Sequence, residues 1–128
     1  MDKAELDFLT GQVIGAAMKV HTFLGPGLLE GAYEACLVHE LRRRGVDVAA
    51  QVALPLWYEG VEIDVGYRID LLVADVIVVE LKAVSRLQPI HEAQLLSYLR
   101  LSGRKLGLLI NFHEIRLKTG VRRLVNGL

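Results

Sequence analysis

Two apolar runs separated by only a few residues, Tyr67-Arg68-Ile69-Asp70-Leu71-Leu72-Val73 and Val76-Ile77-Val78-Val79-Glu80-Leu81-Lys82, constrain this chain most. Stretches such as Leu-Leu-Val and Val-Ile-Val-Val are strands buried on both faces. A charge inside such a strand is costly unless it is paired or holds a metal. Asp70, Glu80 and Lys82 nevertheless stand there. Glu80 and Lys82 are two residues apart, so on a strand they project from one face. An acid, then an acid and a lysine, on an apolar framework, are the components of a site for a divalent cation beside a phosphate.

The rest of the chain bounds what can surround that site. Its 128 residues suit one domain, 1–128, with a core that needs no covalent staples. Apolar residues reach 52%, yet charges break every run well short of the roughly 18 residues of a membrane span. Met1-Asp2-Lys3-Ala4-Glu5 is charged and leads into an amphipathic pattern, unlike a signal peptide. A single cysteine, Cys36, excludes an internal disulfide and offers no metal-ligand spacing, so a reducing, cytoplasmic location is expected. The net charge is zero but polarised: residues 1–99 hold 14 acids and 8 Lys/Arg, whereas 100–128 hold 7 Lys/Arg and only Glu114. Such a basic segment suits nucleic acid, and a solvated C-terminus accounts for it equally well.

Periodicity orders the elements. Leu6, Leu9, Val13, Ala16/Ala17, Val20 and Leu24 predict a helix over 4–23, stopped by Gly25-Pro26-Gly27. A second helix over 28–44 carries Leu29, Tyr33, Cys36/Leu37 and Leu41 on its apolar stripe. Alternation from Val46 to Leu56, a turn at Glu59-Gly60 and renewed alternation from Val61 to Ile69 predict a meander. After a turn at Ala74-Asp75 it leads into the buried strand 76–82. A third helix over 89–102 then leads to a strand at 105–111, a crossover that makes strands 76–82 and 105–111 parallel neighbours. The basic tail has no clear pattern.

Several side chains fit around the central acids. Two carboxylates on neighbouring strands can hold Mg²⁺ and leave positions for water and phosphate oxygens. Lys82 can then orient the attacking water and offset charge in the transition state. For an arbitrary Glu-x-Lys an ion pair at a sheet edge is the commoner explanation; here the buried flanks and the preceding acid favour the site. Gln94 and Tyr98, four apart, share a face of the third helix beside a core stripe of Ala93, Leu95, Leu96 and Leu99. His91 precedes them on that side. Glu30 suits the helix N-terminal dipole, and its place beside the stripe with Tyr33 and Leu37 also makes it a third acid for the site. The four histidines have no zinc-like spacing, and no glycine-rich phosphate loop is present. Trp57 and Tyr58 could stack on bases, but the aromatics are too few for a stacking platform.

With these residues placed, the chain resembles the GxxExxY protein family, a branch of the PD-(D/E)xK nuclease superfamily. The naming motif reads Gly27-Leu28-Leu29-Glu30-Gly31-Ala32-Tyr33. Gly66-Tyr67-Arg68-Ile69-Asp70, Val79-Glu80-Leu81-Lys82-Ala83, His91 through Arg100, and Leu108-Leu109-Ile110-Asn111-Phe112 extend the likeness in order. Ile69 stands where the superfamily's name has proline. The resemblance implies a restriction-endonuclease-like α/β core, a mixed four-stranded sheet flanked by helices in the order ααβββαβ. It assigns Asp70 and Glu80 to the metal, Lys82 to catalysis, and supporting roles to Glu30, Gln94 and Tyr98, as in RecB-like exonucleases. The expected activity is a Mg²⁺- (or Mn²⁺-) dependent nuclease acting on DNA, with RNA second. The Leu81 carbonyl is expected to complete the metal ligands, and Arg100, Arg104, Lys105, Arg122 and Arg123 are expected to hold the nucleic-acid backbone. The alternative is a nuclease-fold module that binds nucleic acid or assembles with protein without turnover. The high apolar content also leaves room for a homodimer or a protein partner.

Overall fold

The computed structural model describes residues 1–128. Helix α1 (Lys3–Leu24) starts on an Asp2 cap whose carboxylate accepts from the Glu5 amide, and helix α2 (Glu30–Arg43) follows. Strand β1 (Val48–Ala53) precedes a small hairpin of β2 (Leu56–Tyr58) and β3 (Val61–Ile63). Then come β4 (Arg68–Val73), β5 (Ile77–Lys82), helix α3 (Pro89–Ser102) and β6 (Leu106–Asn111). A 3₁₀ turn (Leu117–Gly120) leads into β7 (Val121–Val125).

The main sheet runs β1-β4-β5-β6-β7. Its β5–β6 pair is parallel, as a crossover through α3 requires, and the other pairs are antiparallel. This is a restriction-endonuclease-like fold with five strands in place of the expected four. The added strand is the basic tail: Val121 and Leu124, three residues apart, pack on opposite faces of the sheet, so no apolar alternation marks it, and a five-residue edge strand needs little apolar surface. The long meander is also corrected. Pro55 and Gly66 bracket a segment that leaves the sheet as the separate β2–β3 hairpin, closed at its base by the Leu54 amide donating to the Tyr67 carbonyl at 2.9 Å.

Alternation along β5 divides the core. Ile77, Val79 and Leu81 face α1 and α2, together with Val13, Ala16, Tyr33, Leu37, Leu108 and Ile110. Val78 faces α3, packing with Leu95, Tyr98, Leu99 and Leu109, so Glu80 and Lys82 point to that side too. Two expected stripe residues of α2 turn outward: Leu29 is 84% exposed and Cys36 is exposed. On α3, Ala93 is exposed while Tyr98 is buried, so the stripe is rotated toward the tyrosine. The helix can lie close to β6 because residue 107 is glycine; a Cβ there would meet Leu95 Cδ1 at 2.9 Å.

The Gly27–Tyr33 motif has a structural account. The Tyr33 ring stacks on Phe112 with centroids 4.4 Å apart. Its hydroxyl donates to the Gly25 carbonyl at 2.6 Å and accepts from the Leu28 amide at 3.1 Å. Gly27 has a φ of +104°, which only glycine adopts readily. The glycine and the tyrosine thus fix the loop from which α2, with Glu30, begins.

Candidate active site

The ladder between β4 and β5 ends at Leu71↔Val79, and the next two residues toward the open end, Asp70 and Glu80, face each other where the strands part. Their carboxylates satisfy the released backbone. The Leu81 amide donates to Asp70 Oδ2 at 2.9 Å, and the Asp70 amide donates to Glu80 Oε1 at 3.2 Å. Glu80 is buried, only 5% exposed. Burial, followed by the negative charge of Asp70 and the side-chain hydrogen bond to it, pushes the Glu80 carboxyl up to about 9, against weaker pulls from the Asp70 amide and then Lys82. At neutral pH the pair therefore holds a proton.

Lys82 is half-buried at the end of β5, on the Glu80 face. It enters none of the ion pairs, so the edge pairing that would explain Glu-x-Lys structurally does not form, and β5 is the central strand. From α3, Gln94 Nε2 donates to the Tyr98 hydroxyl at 3.1 Å. Burial raises the Tyr98 phenol above its usual range; the Gln94 bond opposes this, and the charges of Glu80 and Asp70 add to it. Tyr98 thus lies within electrostatic reach of both acids. A cavity of about 310 Å³, lined by Leu56, Tyr67, Gln94, Ser97, Tyr98 and Leu101, opens beside this pair. A larger one, about 540 Å³, lies around Arg104 at the other end of the sheet, away from these acids.

The donor set fits a divalent cation. Two carboxylates converge where burial and mutual repulsion keep one of them protonated, and Mg²⁺ is commonly held by one or two carboxylates with water and phosphate oxygens. No third His, Cys, Asp or Glu joins them in a group able to hold metal. Glu30 is exposed on the first turn of α2 and stays outside any such group. The α2 acid linked to the site is Glu34, one turn on and on the same side of the helix, reached through Gln51.

No sequence pattern assigns those two residues a role, and Asn111 stands in the sequence only as part of the Leu108–Phe112 likeness. No apolar period marks Gln51, and Glu34 reads as a solvated helix residue. Asn111 is fully buried at the end of β6. Its Oδ1 accepts from the Val84 and His113 amides at 3.1 and 3.2 Å, and its Nδ2 donates to the Val84 carbonyl at 2.9 Å. It ties the segment after Lys82 to β6, and the signal that could have found it is a lone amide ending an apolar strand. Asn111→Ala leaves three backbone groups without partners and is expected to lower stability by about 2–4 kcal/mol in urea denaturation. A loss under about 0.5 kcal/mol, the size of an ordinary surface change, would mean that water replaces the amide.

The expected basic surface is not contiguous. Arg104 and Lys105 precede β6, at the opposite end of the sheet from Lys82, which pairs with Asn111. Arg104 donates to Asp75 Oδ1 at 2.5 Å and to the Asp75 carbonyl at 3.2 Å, clipping the β4–β5 turn. Arg122 and Arg123 are neighbours on a strand and so point to opposite faces, and Arg123 lies near Asp7 of α1. Arg100 is exposed on α3, near Ser97. Adjacency in sequence did not make a patch.

A family model of the PD-(D/E)XK nuclease superfamily matches residues 7–124, nearly the whole chain. The chain belongs to the PD-(D/E)XK nuclease superfamily. No curated protein and no solved structure matches it. Members of the PD-(D/E)XK superfamily are generally nucleases and typically use divalent metals, which supports nuclease activity on nucleic acid for this member. No helix is long and apolar enough to cross a membrane.

Proposed function

We propose that this PD-(D/E)XK protein is a single-domain, Mg²⁺-dependent nuclease that hydrolyses phosphodiester bonds of DNA, with RNA the second choice, and that it is of the GxxExxY type. The observation that carries this reading is the meeting of Asp70 and Glu80 across β4 and β5, with unpaired Lys82 next on the same face. Asp70, Glu80 and the Leu81 carbonyl would hold the cation. When bound, it polarises a phosphoryl oxygen and neutralises charge at the reacting phosphate. Glu80 gives up its proton to take part. Lys82 orients the attacking water and offsets the negative charge that builds on the phosphoryl oxygens as the sugar oxygen leaves with the bonding pair. Gln94 and Tyr98 arrange water or the phosphate from α3, and the cavity beside them leaves room for a nucleotide. Glu30 and Glu34 contribute from α2 through water or Gln51.

Cleavage of single- and double-stranded DNA and of RNA, with Mg²⁺, with Mn²⁺ and with chelator, tests the reading. Metal-dependent cleavage is expected, and Asp70→Ala is expected to abolish it. Cleavage that survives Asp70→Ala or chelation defeats the assignment. That only two acids converge, with no third ligand in the group, favours one other reading, a nuclease fold that binds without turnover. Nucleic-acid binding with no cleavage under any of these metals would select it.

A further inference from the structure

We infer that Gln51 is a positioning residue for the Asp70 carboxylate, which it ties to helix α2 through Glu34. The inference rests on the reading of Asp70 as a metal ligand. Gln51 sits in the middle of β1, between the pairs Ala50↔Leu71 and Val52↔Ile69, and therefore opposite Asp70. Its φ is +53°, the left-handed region that L side chains rarely adopt. The other three non-glycine residues with positive φ, Glu59, Ala74 and Asp75, lie in the two tight turns, where that geometry is ordinary. Gln51 is alone in having it inside a strand.

The unusual backbone accompanies a specific contact. Gln51 Nε2 donates to Glu34 Oε1 at 2.7 Å and to Asp70 Oδ1 at 3.4 Å. Both acceptors are carboxylate oxygens, so the amide nitrogen, not its oxygen, must face them. The Leu81 amide holds the other oxygen of Asp70. With Gln51 in place both oxygens are restrained and the carboxylate cannot rotate freely. A left-handed residue kept away from glycine at a candidate ligand marks a constraint of function over backbone comfort. If the geometry served only the bend of an edge strand, glycine would serve better.

Gln51→Gly separates the two accounts, because it keeps the backbone geometry and removes the amide. Its melting temperature is expected to equal or exceed that of the wild type, while Mn²⁺ affinity by calorimetry falls about tenfold, the scale of lost support around a ligand. Glu34→Ala is expected to give a smaller fall, and the double variant no further fall, since Glu34 acts through Gln51. Gln51→Asn tolerates the left-handed region but is one methylene short, and it provides the same readout if the glycine variant does not fold. Equal Mn²⁺ affinity in Gln51→Gly and wild type overturns the inference while leaving Asp70 as ligand. Absence of Mn²⁺ binding by the wild type overturns the reading of Asp70, and this inference with it.

Discussion

Glu80→Gln is expected to give a protein more stable than the wild type without metal, and devoid of metal-dependent cleavage. The reason is the proton on Glu80. Its carboxyl is pushed up to about 9, first by burial and then by Asp70, whereas in the unfolded chain it titrates near 4.5. Between these values the native state binds a proton that the unfolded state has released. Stability is therefore full below about pH 4.5 and falls as pH rises toward 9, with a slope of up to about 1.4 kcal/mol per pH unit. A glutamine has nothing to lose over that window. Its advantage grows with pH, to about 2–4 kcal/mol at pH 8, measured as the difference in urea denaturation between the two proteins in chelator. Metal binding to the wild type must release the same proton, so Mn²⁺ affinity should tighten by up to about tenfold per pH unit below 9. A stability difference that does not change between pH 5 and pH 8 would show that Glu80 is already ionised in the native protein.

Lys82→Ala is expected to lower the cleavage rate by about 10²–10³ while the fold and the metal site survive, the usual cost of losing one preorganised charge at a reacting centre. The side chain enters no ion pair, so its removal leaves no carboxylate without a partner in the folded protein. The side chain is half-buried at the end of β5, and the cost in stability should stay under about 1 kcal/mol. Single-turnover cleavage at saturating metal gives the rate, and calorimetry with Mn²⁺ reports the site. If the rate falls only because Mn²⁺ no longer binds, Lys82 holds the site together rather than acting on the substrate.

How much of this could be read beforehand depended on how each segment is buried. Helix α1, helix α3 and the parallel pair β5–β6 carry periodicities uninterrupted by competing demands, and their bounds were legible within a residue or two. The hairpin β2–β3 was not, because Val61, Ile63 and Val65 alternate as a sheet strand would, yet they stand exposed. Strand β7 was hidden for the opposite reason: an edge strand needs few apolar residues, and two arginines look like a tail. At the site, Asp70, Glu80 and Lys82 stood out because charges in buried strands are costly. Gln51 and Glu34 lie on an exposed edge strand and a half-exposed helix face, where polar residues are unremarkable. Only the left-handed backbone of Gln51 and its hydrogen bonds to Glu34 and Asp70 distinguish them.

By itself, then, the sequence determined the buried strand pair, the charges interrupting it, and the face shared by Glu80 and Lys82. A two-residue repeat is a local property, and the penalty for a buried charge does not depend on knowing its neighbours. The tertiary structure decided which distant groups meet those charges. It brought Tyr98 and Gln94 to the acids from α3, linked Glu34 rather than Glu30 through Gln51, and scattered the arginines expected to form one surface. These outcomes depend on the parting of β4 from β5, the left-handed residue inside β1 and the faces of β7. Such features come from how the elements dock, and no single segment encodes them.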